Sequence, residues 1–141
     1  MDSIRFSAML KIIHASVSLG AATQEFSVVP DKHWNVGDPH IAPDGSNAPG
    51  VFGQSFWCAT LASGGASEDV PFAERLNTLA INLQSHADFF RALPQDAEVA
   101  LSLTFHSHYE AFGFELAADA MRILGALGIH VHVDVYSRES P

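Results

Sequence analysis

A chain of 141 residues with 48% hydrophobic and 16% charged residues is long enough to bury a core and too weakly charged to stay disordered. Its 7 Lys and Arg against 16 Asp and Glu leave a formal charge of −9, and the basic residues form no run, which argues against nucleic acid and anionic membranes as partners. The single cysteine, Cys58, admits no intrachain disulfide, and no apolar run approaches the ~20 residues that a membrane helix requires.

These bounds predict a single domain over residues 1–141, placed in the cytoplasm. The first residues lack a basic region followed by a clean apolar stretch, because Lys11 and His14 interrupt the only candidate, so no signal peptide is read.

In chain order, the apolar stretch after Ile4 predicts a strand from about Arg5 to Ala15, with imperfect alternation that leaves a helix open. A short helix follows between Leu19 and Val29, and Pro30 closes it. From Pro30 to Gly53, four prolines and four glycines predict a long irregular loop, anchored by Trp34 and Ile41. Gln54 to Ala62 reads as a strand, and Ser63 to Ser67 as a turn. Ser67 to Leu93 reads as the main helix: Ser67 or Asp69 caps it, Pro71 suits its first turn, and Phe72, Leu76, Leu79, Leu83, Phe90 and Leu93 form one stripe.

Ala97 to Tyr109 alternates, with Val99, Leu101, Leu103 and Phe105 on one face and Ser102, Thr104, His106 and His108 on the other. Phe114 to Leu127 predicts a second amphipathic helix, with Leu116, Ala120, Ile123, Leu124 and Leu127 inward and Gly128 as its stop. Ile129 to Ser137 alternates again, with Val131, Val133 and Val135 inward and His130, His132, Asp134 and Tyr136 outward. The fold class expected is α+β: a four-stranded or slightly larger mixed sheet, two main helices on one face, and a long Gly/Pro-rich loop. The final strand–helix–strand unit should be a right-handed crossover if its two strands lie parallel in one sheet.

The stretch Pro30-Asp31-Lys32-His33-Trp34-Asn35-Val36-Gly37-Asp38-Pro39, followed by Ser55-Phe56-Trp57, resembles the bacterial domain-of-unknown-function family 4279. The likeness covers nearly the whole chain and ends near Tyr136; one departure is Ser18 to Phe26, which lacks the more acidic helix start expected there. The resemblance implies the same order of elements and marks Trp34, Gly37, Asp38 and Trp57 as structural positions. It brings no activity and no catalytic residue. Its likeness to small proteins found near toxins implies, by analogy, an immunity-type inhibitor.

Chemistry is carried by few candidates. His106-x-His108 and His130-x-His132, with Asp134, share the polar face of two strands, so five side chains could offer nitrogen and oxygen ligands to a transition metal if the pairs met. The bland alternative is an ordinary half-exposed sheet surface. His33, His40 and Asp38 suggest an acid–base lid, against a turn at Gly37-Asp38-Pro39 in which Asp38 accepts backbone hydrogen bonds. Cys58 reads as a buried thiol. No catalytic set, P-loop or dinucleotide fingerprint is present. The expectation is therefore a protein-interaction domain without catalysis, binding a protein partner or a second copy through an open sheet face; the alternative is a metal-binding protein. No other cofactor is expected.

Overall fold

The computed structural model describes residues 4–65, 71–108 and 112–137. Five strands form one sheet in the order β2-β5-β1-β6-β7: β2 (Lys32–Trp34), β5 (Ser55–Gly65), β1 (Ile4–His14), β6 (Glu98–Ser107) and β7 (His130–Ser137). The first four pair antiparallel, and β7 pairs parallel with β6. A separate two-stranded ribbon joins β3 (Pro39–Ile41) to β4 (Asn47–Val51). The helices are α1 (Ala21–Phe26), α2 (Phe72–Gln84), α3 (Ala87–Ala92) and α4 (Ala118–Ala126). None is long and apolar enough to cross a membrane.

Strand alternation decides which face is covered. In β1, Phe6, Ala8, Leu10 and Ile12 are buried while Arg5, Ser7, Met9, Lys11 and Ile13 are not. Their cross-strand neighbours Trp57, Ala59, Val99, Leu101, Leu103 and Phe105 join them in one core with Phe72, Leu76, Leu79, Leu83 and Phe90 of α2 and α3 and Ala120 and Leu124 of α4. The helices thus lie on a single face, as the strict alternation of β6 and β7 requires. A bulge between Ala8 and Met9 adds Leu61 to the β5 side, so both halves of β5 keep their apolar side chains inward.

Several boundaries differ from the sequence reading. The segment Pro30–Gly53 is not an irregular loop: it supplies the fifth strand and the ribbon. Prolines at positions 39 and 49 sit in a two-stranded ribbon with free outer edges, where proline is tolerated. The helix expected over Ser67–Leu93 is two helices, because the chain turns at Ser85 and His86; His86 binds the Glu25 carboxylate and packs its ring 4.7 Å from Phe26. Ser67 and Asp69, the expected caps, lie outside the described residues. The second helix begins at Ala118, not Phe114. Phe114 and Leu116 precede it and are partly exposed, although the Phe114 ring still stacks on Phe105 at 4.4 Å.

Candidate functional site

The core and the helices occupy one face of the sheet, and the side chains of the other face can be read in rows across the strands. One row runs Trp34, Phe56, Ile13, Glu98; the next runs Lys32, Cys58, Lys11, Ala100, His130. Beyond them come Thr60, Met9, Ser102, His132, then Ser63, Ser7, Thr104, Asp134, and finally Arg5, His106, Tyr136. Among the described residues no helix lies against these rows.

Aromatic rings close the two ends. Trp34 is stacked between Phe52 (4.2 Å) and Phe56 (4.8 Å), and His40 meets Phe52 edge-on. Trp34 is therefore half-buried on the open face rather than plugged into the core edge, while Trp57 is fully enclosed and donates its indole N–H to Thr23 Oγ1 at 3.0 Å. At the opposite corner His106 stacks on Tyr136 at 5.2 Å.

The stretch that carries the family resemblance is spent on architecture. Asp31 accepts hydrogen bonds from the Thr60 backbone N–H (2.7 Å) and hydroxyl (2.8 Å), which satisfies the edge of β5 where β2 ends. Asn35 Oδ1 accepts from the Ser18 hydroxyl and the Leu19 N–H. Gly37 takes φ +87°, the Asp38 N–H donates to the Asn35 carbonyl at 3.0 Å, and the Asp38 carboxylate accepts the Asn35 N–H at 2.8 Å, so Asp38 serves the turn through local backbone hydrogen bonds. His33 lies in β2 beside Trp57, whereas the His40 Nδ1–H donates to the Pro49 carbonyl. His33, His40 and Asp38 thus form no acid–base cluster. Cys58 is 2% exposed, and burial pushes its thiol pKa up, away from nucleophilic thiolate.

The histidine pairs occupy adjacent strands, yet the register separates them. His130 lies beside Ala100 and His132 beside Ser102, whereas His106 lies beside Tyr136. Four residues along a strand amount to ~13 Å, so the two imidazole pairs stand side by side on the face rather than opposite each other. The remaining contact is His132 Nε2 to Asp134 Oδ2 at 3.4 Å. Among the described residues no group of three or more His, Cys, Asp or Glu comes together to hold a metal.

Two features were not drawn from the sequence. His14 ends the inward row of β1 and is 6% exposed: its Nδ1 accepts the Ser16 and Val17 N–H groups, so Nε2–H donates to Asp96 at 2.8 Å. A histidine continuing the apolar positions 6, 8, 10 and 12 was the available signal. That hydrogen bond holds the exposed Asp96 carboxyl below its ordinary pKa. The other feature is a crevice of about 280 Å³ between α2 and the far end of β5, where the Arg75 guanidinium lies over the Phe6 ring at 5.4 Å.

A family model described as "Domain of unknown function (DUF4279)" matches residues 4–138. The chain belongs to this family. No curated protein and no solved structure matches it. For a DUF4279 domain, the geometry therefore has to carry the functional reading alone, and it distributes charge unevenly. At the open face Arg5, Lys11 and Lys32 stand against Asp31, Glu98 and Asp134, a balanced set in a chain of net charge −9. Among the described residues the acidic excess lies mainly in turns and loops, at Asp38, Asp44, Asp96 and Glu115, because α2, α3 and α4 each match one acid with one base.

Proposed function

We propose that this DUF4279 domain is a non-catalytic protein-interaction module that binds its partner on the open face of the sheet. The observation that carries this reading is the face itself: five strands wide, near-neutral, floored by Met9, Ile13, Ala100 and Thr104, and bounded by two aromatic stacks. Aromatic residues and methionine are enriched at interfaces, and here Met9 lies between the ring stacks at the two ends while the charges of the face cancel. The net charge of −9, carried outside this face, suits the approach of a basic partner, such as the target of an immunity-type inhibitor, by steering rather than by contact. A cytoplasmic setting suits a lone, reduced and buried thiol. The metal-binding alternative draws on the His132–Asp134 contact alone.

The test is a comparison of variants in capture from cells that express the protein. Thr104→Arg, on β6 within the face, should abolish retention of the partner, whereas Ile81→Arg on the exposed side of α2 should leave it intact. Equal retention by both variants would contradict the reading.

A further inference from the structure

The two edges of the sheet are built differently. On one side β2 is three residues long, carries Lys32, and is preceded by Asp31, whose carboxylate caps the β5 backbone at Thr60. These are the devices by which proteins keep an edge from pairing with another chain. On the other side β7 runs eight residues, His130 to Ser137, in unbroken register with β6, and carries neither proline, lysine nor a bulge. Its outer backbone groups face away from β6, and at its far end Val135 is 48% and Tyr136 55% exposed.

The geometry points to a second copy of this chain as the occupant of that edge: β7 pairs antiparallel with β7 of the partner about a two-fold axis at Val133, joining two five-stranded sheets into one of ten. The strand sequence His-Val-His-Val-Asp-Val-Tyr is complementary to itself about that point. His132 falls opposite the partner's Asp134, and Asp134 opposite the partner's His132. Val131 meets the partner's Val135, and His130 meets the partner's Tyr136. All of these are same-face pairs, as an antiparallel ladder with the axis normal to the sheet demands. Moving the axis to His132 or Asp134 sets two imidazoles or two carboxylates against each other. The valine row lies on the helix side, where Val131 and Val133 already pack against the core, so the pairing would also cover the exposed Val135. This inference goes beyond the open-face reading, because edge pairing leaves the open faces of both copies free and makes them continuous. It also moves the homodimer expected from the sequence from the face to the edge.

The 141-residue chain is examined by sedimentation equilibrium up to millimolar concentration, since an edge contact of this size belongs to the weak class. The wild type should dimerise. His132→Asp or Asp134→His alone should weaken the dimer at least tenfold, and the exchanged double variant should return to within about threefold of wild type. Val133→Cys, on the helix side, should form an interchain disulfide under mild oxidation, because facing Cα atoms in an antiparallel pair lie within disulfide range and a face-to-face dimer would keep these residues apart. A monomeric wild type, a double variant as weak as the singles, or no disulfide at position 133 would each overturn the proposal. Retained capture that remains sensitive to Thr104→Arg would show that the open-face reading survives such a failure.

Discussion

Truncating Trp57 removes an indole that is fully enclosed and hydrogen-bonded to Thr23, so Trp57→Ala should cost about 3–5 kcal/mol in chemical denaturation. Trp34→Ala should cost less, about 2 kcal/mol, because its ring is only half-buried, and it should free the ribbon that Phe52 anchors. The reverse order of the two losses would show that the ring stack, not the core, holds the fold. Asp96 offers a test with a pH signature. Its pKa is lowered by the His14 Nε2–H bond, so its contribution is present above the ordinary carboxylate value of about 3.9 and disappears as pH falls through the lower folded value. Asp96→Asn should therefore be less stable than wild type at neutral pH, and the two stability curves should converge in acid. A constant offset across that range would mean that the hydrogen bond does not discriminate between the charged and neutral forms.

The end of α4 shows how an element is fixed by one residue. Gly128 takes φ +74°, Ile129 N–H reaches back to the Leu124 carbonyl at 2.9 Å, and Gly128 N–H to Gly125 at 3.0 Å. These are the two bonds of a Schellman motif, with buried Leu124 and Ile129 as its apolar contact. Gly128→Ala should cost about 1–2 kcal/mol in denaturation, since it forces a β-carbon into the left-handed region; a neutral effect would mean that the turn rearranges freely. Gly128 was legible as a stop, as were the alternations of β6 and β7 and the stripe of α2, because period and punctuation are local properties. The turn at Ser85–His86 was not, since Phe90 continues the apolar spacing across it and only the contact with Glu25 and Phe26 marks it. The strands hidden in Pro30–Gly53 were missed because proline and glycine counts do not distinguish a loop from short, exposed strands. Side-chain parity likewise placed His106, His108, His130 and His132 on one face but carried no information about register. The crossover through α4 and the packing of Leu101 and Leu103 beside Val131 and Val133 set that register, and it put His106 beside Tyr136.

At the scale of the whole molecule, the composition alone suggested an acidic surface meeting a basic partner, but a net charge says nothing about where the charge sits. Strand pairing gathers three of the seven basic residues at the open face and offsets them with three acidic ones, leaving a neutral, aromatic-rimmed surface on an acidic body. The family's characteristic stretch, through Asp31, Trp34, Asn35, Gly37 and Asp38, builds one end of that surface and seals one edge of the sheet. The central claim is that partners bind on this face, and site-specific photo-crosslinking tests it most directly. A photoreactive phenylalanine analogue placed in turn at Thr60, Thr104 and, on the helix side, Ile81 should give a discrete crosslinked partner from the first two positions and none from the third. Crosslinks confined to Ile81 would contradict the account.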